Sequence, residues 1–327
     1  MSKRVIAVVL CACLVMLAAC RSSKPGAEGG KKQYFVAFSQ CNNAEPYRAA
    51  QNALMTSLWA KNPDVKFVIA DAGQDDNKQI AQIDTFIRQA PDLLIVAPNE
   101  RAPLTAVMGR AVQAGIPVIC LERDILQPNY TTFVGADNRE IGRKAGQFIV
   151  DFLTKKYGKP QGNIVQIRGL LGVAPEIMRN DGAHEVFAEH PQIKIVHEAV
   201  ADWIQAKAKD RMTEALRSNA KIDVVYAHND PMAIGAYLAA KELGREKEMI
   251  FVGVDGLGGP NGGIKKVMDG ILAATFVYPL CVDKAVEVGN RMLRDHEFKP
   301  EKTYTLHSVM VTPENAAEAY KEFTVTP

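Results

Sequence analysis

The chain has 327 residues, of which 47% are apolar and 23% are charged. This composition is that of an ordinary globular protein, and it excludes both an intrinsically disordered chain and a membrane protein with many spans. With 39 basic and 37 acidic residues the net charge is +2. So balanced a chain lacks the concentrated positive field that binding to nucleic acid requires.

Residues 1–19 have the pattern of a secretory signal peptide. Lys3 and Arg4 precede an apolar run over 5–19, which is shorter than the roughly 20 residues that a membrane-spanning helix needs. The run ends in Leu-Ala-Ala followed by Cys20, which resembles a lipoprotein signal, in which Cys20 would be lipidated and become the mature N-terminus. A plain signal peptide with an incidental cysteine is the alternative.

The segment 20–32 is predicted to be a flexible tether behind the lipidated cysteine, because its residues after Cys20 are rich in Ser, Gly, Lys and Pro. Beyond it the chain retains Cys41, Cys120 and Cys281. Three cysteines are an odd number and have no metal-binding spacing, so we expect buried thiols, with no disulfide framework and no metal site.

From residue 34 onward the hydrophobic pattern alternates between short apolar runs and helical periodicity. Strands are predicted at 34–39, 65–70, 93–97, 117–121, 132–135, 163–168, 193–199, 224–227, 249–254 and 273–277. Helices are predicted at 48–60, 77–89, 103–114, 179–189, 206–218, 231–243 and 262–269. Two such series in succession predict two open, doubly wound parallel sheets.

Parallel sheets of this kind bind ligands at the carboxyl ends of their strands. Arginines, carboxylates, amides and aromatic rings all follow predicted strands, and Arg179 is expected to open a helix. A sugar needs such a set, because each hydroxyl both donates and accepts hydrogen bonds, while the C–H faces of the ring pack on aromatic surfaces. Tyr47 and Trp203 are the predicted aromatic surfaces, with half-buried packing residues as the alternative.

Catalysis is the competing interpretation. Glu122 and Asp124 could act as paired carboxylates and His228 as a base, although His228 also precedes a predicted helix with Asp230 as its N-cap. The sequence contains no nucleophile elbow and no zinc-protease motif. We therefore expect a protein that is not an enzyme, with no catalytic residue and no cofactor.

The order of sequence blocks resembles the type I periplasmic sugar-binding proteins, the ribose and galactose group of ABC-transporter substrate-binding proteins. The block from Tyr226 through Asn229-Asp230 to Ala236, followed by Asp255-Gly256, carries the resemblance most specifically. Within the group, Phe38-Ser39-Gln40 and Tyr47-Arg48 are most similar to the galactofuranose-binding branch.

The resemblance implies a ligand-binding role for nine residues. Tyr47 matches the aromatic residue that stacks on the sugar, and Arg48 matches the hydrogen-bond donor beside it. Glu122 and Arg123 match an Asp-Arg pair that holds vicinal hydroxyls. Glu122 stands where the family has Asp, so its side chain is one methylene longer. The others are Arg179, Trp203, Asn229, Asp255 and Tyr278.

The resemblance also implies a periplasmic-binding-protein-like type I fold, with two lobes joined by a three-segment hinge. The N-terminal lobe would comprise 33–136 and 279–306, and the C-terminal lobe 137–278 and 307–327. The lobes would close on a monosaccharide, a pentose or hexose, the furanose form included, and deliver it to an ABC import permease.

The alternative is a periplasmic sensor that presents its closed form to a histidine kinase or a chemoreceptor. Either way we expect a monomer, anchored by lipid on the periplasmic side of a membrane in the cell envelope, with no nucleic-acid partner.

Overall fold

A computed structural model describes residues 32–324 of the chain. The predicted signal peptide, Cys20 and the tether up to residue 31 therefore lie outside the described residues. One compact unit begins at Tyr34. In the part of the chain that is described, no helix combines the length and the apolar character needed to cross a membrane.

The first sheet has six parallel strands in the order β11-β5-β4-β3-β1-β2. Every residue of its central strand β3 is buried, as expected for a parallel strand covered by helices on both faces. The strands are β1 (Tyr34–Gln40), β2 (Val65–Asp71), β3 (Leu93–Ala97), β4 (Val118–Leu121), β5 (Thr132–Ala136) and β11 (Thr303–Leu306).

The second sheet has four parallel strands in the order β7-β6-β8-β9. They are β6 (Gly162–Arg168), β7 (Ile193–Val200), β8 (Val224–Ala227) and β9 (Ile250–Val252). Beside it, β10 (Thr275–Phe276) pairs with β12 (Met310–Val311) in an antiparallel ribbon. The prediction of two doubly wound parallel sheets is thus confirmed.

Ten helices are found between residues 32 and 324. They are α1 (Pro46–Ala60), α2 (Asp76–Gln89), α3 (Arg101–Gln113), α4 (Asn138–Tyr157), α5 (Ala174–Ala188), α6 (Gln205–Ser218), α7 (Asp230–Glu242), α8 (Gly263–Met268), α9 (Val282–Arg294) and α10 (Ala316–Phe323). Of these, α4, α9 and α10 are not predicted from the sequence. The longest, α4, packs closely on α5, where a Cβ added at Gly182 would lie 2.1 Å from the carbonyl oxygen of Arg139.

Two sequence predictions about helix termini are wrong. Helix α5 begins at Ala174, with Pro175 in its first turn, so Arg179 lies in its second turn rather than opening it. Proline at that position is favoured because its missing N–H would have no partner there. Helix α7 is capped by Asn229, whose side chain accepts from the N–H of Met232, while Asp230 is the first helical residue.

Candidate functional site

All nine residues singled out by the sequence line one cavity of about 270 Å³ between the carboxyl ends of the two sheets. Glu45 and Pro175 complete its lining. The predicted residues in its wall are Tyr47, Arg48, Glu122, Arg123, Arg179, Trp203, Asn229, Asp255 and Tyr278.

The fold brings them together because most of them lie in the segments that follow the carboxyl ends of strands. Tyr47 and Arg48 lie in the first turn of α1, after β1, and Glu122 and Arg123 follow β4. On the other side the corresponding positions after β7, β8, β9 and β10 hold Trp203, Asn229, Asp255 and Tyr278. Strand ends of parallel sheets are where such crevices form.

Arg48 and Glu122 form a buried ion pair in the wall that belongs to the first sheet. Nη2 of Arg48 lies 2.6 Å from Oε2 of Glu122, and the two side chains are 2% and 3% exposed. Nη1 of Arg48 donates to Gln51. Arg123 lies beside the pair, with its Nε 3.7 Å from the same carboxylate oxygen, and donates through Nη1 to the carbonyl of Asn99. One carboxylate thus lies between two guanidinium groups.

Arg179 occupies the opposite wall and is held at three points. Its Nε donates to Oδ1 of Asn138 at 2.9 Å, and its Nη1 donates to the carbonyl oxygen of His228 at 2.6 Å. Its guanidinium lies 4.8 Å from the ring centroid of Tyr278. These contacts fix the plane of the guanidinium, which is the condition for directional donation to a hydroxyl.

Tyr47 and Tyr278 line the cavity, and their hydroxyls are hydrogen-bonded to backbone carbonyls. Their ring centroids are 5.6 Å apart at 41°. The Tyr47 hydroxyl donates to the carbonyl of Pro279, and the Tyr278 hydroxyl donates to the carbonyl of Glu122. Burial raises the pKa of both phenols well above their usual range, so both stay protonated and act as donors.

Trp203 is both a core residue and part of the cavity wall. It is 4% exposed and packs in the hydrophobic cluster of the second sheet, yet its ring faces the guanidinium groups of Arg123 and Arg179, each 5.8 Å from the ring. Its backbone has a positive φ of 71°. Gly169 makes room for it, because an added Cβ there would lie 2.2 Å from the indole.

Asn229 and Asp255 supply the amide and the carboxylate of this wall. The amide nitrogen of Asn229 donates to the carbonyl oxygen of Trp203 at 3.2 Å, which leaves its second N–H for another acceptor. Asp255 is buried, with a positive φ of 123°. Burial and the neighbouring Asp230 raise the pKa of Asp255 well above its ordinary value.

Asp230 holds the loop that carries Asp255. Its carboxylate accepts from the backbone N–H of Gly256 at 2.8 Å and from the hydroxyl of Thr275 at 2.6 Å. A Cβ at Gly263 would lie 1.8 Å from a carboxylate oxygen of Asp230, so the loop passes close to it. Burial raises the pKa of Asp230 to about 7, against the effect of these hydrogen bonds.

Several polar atoms in the cavity wall have no hydrogen-bond partner among the described residues. They are the donors Nε of Arg48, Nε of Arg123 and Nε1 of Trp203 and the acceptor Oε2 of Glu122, whose contact with Arg48 is an ion pair. A buried donor without an acceptor costs free energy. A ligand with several oxygen acceptors would satisfy the three donors.

The groups considered for catalysis are not brought together here. Asp124 is absent from the lining of this cavity, and its carboxylate accepts from the N–H of Ile125. The ring of His228 is buried against Gln166 at 3.1 Å, and burial, together with the charge of Arg179, lowers its pKa well below its usual range. His228 contributes its backbone carbonyl to Arg179 instead.

Three residues that matter here are missing from the sequence-based site. Glu45 and Pro175 line the cavity, and Asn138 orients Arg179 and donates to the Tyr278 hydroxyl. Glu45 lies two residues before Tyr47, and Asn138 lies within a crossover that the sequence predicts near 136–138, so both positions have a signal in the sequence. Pro175 has none, because the start of α5 is predicted too late.

Cys41, Cys120 and Cys281 are free thiols and all three are buried, as predicted. Burial raises the pKa of each thiol. Inert, protonated thiols are the expected state in such surroundings.

Comparison with known proteins gives one consistent result. Residues 36–287 match the family model described as a periplasmic binding protein domain. The chain is 32% identical over 292 residues to the galactofuranose-binding protein YtfQ of Escherichia coli, covering 86% of this chain and 89% of that protein.

Solved structures agree with the sequence match. The fructose-binding periplasmic domain of a hybrid two-component system is 38% identical, with a TM-score of 0.83 and coverage of 89% of this chain and 94% of that one. The binding protein of the arabinose ABC transporter from Shewanella sp. ANA-3, solved with arabinofuranose, is 29% identical, with a TM-score of 0.79 and coverage of 88% and 95%.

Proposed function

The chain belongs to the periplasmic binding protein family, and from that membership we propose that it captures a monosaccharide and delivers it to an ABC import permease. The observation that carries the proposal is the cavity between the two sheets, in which three guanidinium groups, three carboxylates and one amide converge with three aromatic rings. That combination suits hydroxyls around the edge of a ring and C–H groups on its faces.

The ligand is proposed to be a single sugar ring. The relatives with a named ligand include proteins for galactofuranose, fructose and arabinofuranose, which supports a pentose or hexose, with a furanose form among the candidates.

We infer that the protein binds without catalysing a reaction and needs no cofactor. Two of the buried carboxylates are engaged: Glu122 is paired with Arg48, and Asp230 accepts two hydrogen bonds. The curated relatives named for their activity are binding proteins.

Binding is proposed to close two lobes about three crossovers, near 136–138, 278–279 and 307–309. The first lobe would be 33–136 with 279–306, and the second 137–278 with 307–327. The pairing of β11 with β5 and of β12 with β10 supports this division, because each late strand joins a different layer. A ligand that contacts both lobes only when they are closed shifts the population toward that form.

A periplasmic sensor is the second candidate, favoured by the similarity to a periplasmic domain of a hybrid two-component system. The binding site would be the same in both cases. Deleting the gene and measuring uptake of the labelled sugar separates them, since loss of uptake supports transport and intact uptake with a lost transcriptional response supports sensing.

We further propose that the protein is monomeric and anchored through Cys20 on the periplasmic side of a membrane. The support for the anchor is the sequence pattern before Cys20.

A thermal-shift screen tests the binding function directly. The panel comprises D-ribose, L-arabinose, D-galactose, D-fructose, xylitol and myo-inositol, with Arg179→Ala as the control protein. A ligand present at 100 times its Kd adds about 2.7 kcal/mol of stability. Stabilisation of the wild type but not of the control supports the proposal; the absence of stabilisation by any sugar or polyol contradicts it.

A further inference from the structure

Four buried residues beside the sugar cavity are linked in one continuous hydrogen-bond chain. Nε of Arg179 donates to Oδ1 of Asn138 at 2.9 Å, and Nδ2 of Asn138 donates to the Tyr278 hydroxyl at 3.2 Å. That hydroxyl donates in turn to the backbone carbonyl of Glu122 at 3.0 Å. Each of the four residues is at most 3% exposed, so the whole chain is shielded from water.

The chemistry of the groups fixes the direction of every bond in this chain. A guanidinium can only donate, so the oxygen of the Asn138 amide faces Arg179 and its nitrogen faces Tyr278. A backbone carbonyl can only accept, so the hydroxyl hydrogen of Tyr278 points to Glu122. The Tyr278 hydroxyl therefore joins the two halves of the chain, accepting from one and donating to the other.

Tyr278 lies where the polypeptide passes from one proposed lobe to the other. Its backbone N–H donates to the carbonyl of Asp255 at 2.8 Å, which ties it to the second lobe. The carbonyl of the next residue, Pro279, accepts from the Tyr47 hydroxyl at 2.7 Å, which ties it to the first lobe. At this crossover the backbone therefore changes lobes between Tyr278 and Pro279, and a closing motion would turn there.

The two ends of the hydrogen-bond chain belong to different lobes. Asn138 and Arg179 stand on α4 and α5 of the second lobe, whereas Glu122 follows β4 of the first. A rotation of the lobes moves the carbonyl of Glu122 relative to the amide of Asn138. One hydroxyl bonds to both only while each lies within hydrogen-bond distance of it, so the chain is expected to be complete only in the closed form.

We propose that the Tyr278 hydroxyl is a closure latch, which acts with the positioning residue Asn138 to couple the orientation of Arg179 to the closing of the lobes. This inference rests on the proposed binding and closing function and goes beyond it, because the hydroxyl serves the conformational change while the ring still lines the cavity. A sugar that engages Arg179 favours the form in which its supporting amide is fully bonded, and that is the closed form.

Tyr278→Phe tests the latch, because it removes the hydroxyl and keeps the ring. The probe is the panel sugar that gives the largest thermal shift. Isothermal titration should show a Kd at least about fivefold higher, since the closed form then buries an unpaired N–H and an unpaired carbonyl. The Tm of the sugar-free protein should change by less than about 2 °C, because in the open form those groups meet water.

Tyr226→Phe is the matched control. Tyr226 is also fully buried in the second lobe, but its hydroxyl has no hydrogen-bond partner among residues 32–324, and it is outside the lining of the sugar cavity. Loss of that hydroxyl should leave the Kd within about twofold of the wild type, because no hydrogen bond is broken.

Asn138→Ala separates the latch from a direct contact between the Tyr278 hydroxyl and the sugar. The chain is already broken in this variant, so adding Tyr278→Phe should raise the Kd by a smaller factor than it does in the wild type. A hydroxyl that acted on the sugar itself would give the same factor in both backgrounds, and that result would overturn the inference.

Small-angle X-ray scattering with and without saturating sugar reports closure independently, and the wild type should become more compact with sugar. If no panel sugar binds the wild type, the proposed function is wrong and this inference falls with it. Three results overturn the inference alone: binding without compaction, a Kd raised less than about fivefold by Tyr278→Phe, or a sugar-free variant that does not fold or whose Tm falls by more than about 2 °C.

Discussion

The guanidinium of Arg48 and the carboxylate of Glu122 meet at 2.6 Å inside the cavity wall, where both side chains are almost fully buried. Arg48 belongs to α1, and Glu122 follows β4 with a positive φ of 67°. The pair therefore joins a helix to a strand end on the same layer. It neutralises one of the three positive charges that face the cavity.

Arg48→Met is expected to lower the free energy of unfolding by about 3–5 kcal/mol, because it leaves Glu122 as a buried carboxylate without its closest partner. The double variant Arg48→Met/Glu122→Gln should lose less than the two single variants added together. Urea unfolding of the ligand-free protein measures this. Strict additivity would show that the two side chains do not interact.

Arg123→Ala and Arg179→Ala are each expected to weaken sugar binding by about 2 kcal/mol or more, because a charged donor is lost and its partner on the sugar is left unpaired. Titration calorimetry on folded protein measures the loss. Arg110→Ala is the matched control, since Arg110 pairs with Asp84 on the surface. Unchanged affinity in both cavity variants would argue decisively against the assigned site.

Trp203 is expected to report sugar binding by fluorescence, because its ring lines the cavity. Trp59, buried on α1 near Phe67, supplies a constant background. Trp203→Phe should abolish most of the ligand-induced change, and Trp59→Phe should preserve it. Trp203→Ala should also cost about 3–5 kcal/mol of stability, since the same ring belongs to the core.

Gly169→Ala tests the position of the indole without altering it chemically. The added Cβ would overlap the ring of Trp203, so we expect the indole to shift and the Kd for sugar to rise at least about tenfold. Gly109→Ala is the matched control, because its added Cβ meets only the flexible side chain of Asn129. Equal affinities for the two variants would contradict a precise role for the Trp203 ring.

Stability is expected to fall as the pH rises from about 4 to about 7. The folded-state pKa of Asp230, about 7, lies above its ordinary value of 3.8, so in this interval the folded protein holds a proton that the unfolded chain has released. The stability that this proton contributes is complete below the ordinary pKa of 3.8. It is lost as the pH rises through the folded-state pKa of about 7. Asp230→Asn should flatten this slope in Tm measured from pH 4 to pH 8; a slope equal to that of the wild type would show that Asp230 does not cause it.

Much of the fold was predictable because the buried strands are short, continuous apolar runs. β3 and β8 were placed at their observed limits. The sequence pattern does not predict helix α4, although Asp137 caps its start and Gly158 ends it in the left-handed region. The reason is its two internal glycines, Gly142 and Gly146, which pack against α5. Glycines inside a helix weaken a prediction that is based on hydrophobic periodicity.

The sequence predicts which residues gather in this cavity, but it does not predict the contacts that each of them makes. Strand-end position brings Tyr47, Trp203 and Tyr278 to one cavity, yet it does not say that the Tyr278 hydroxyl is bound to Asn138 and to the carbonyl of Glu122. Those contacts depend on residues far apart in the chain.

The late position of β11 and β12 in the chain has a consequence for how the protein is made. β11 completes the six-stranded sheet beside β5, and the Thr132 hydroxyl donates to the carbonyl of Glu301, 169 residues later. β12 closes the ribbon with β10. Neither layer can be completed until the last part of the chain has emerged, and such distant pairings fold slowly. The six-stranded sheet therefore has an unpaired edge at β5 until residues 303–306 are available, so a chain truncated before β11 would expose the backbone of β5 as an open sheet edge.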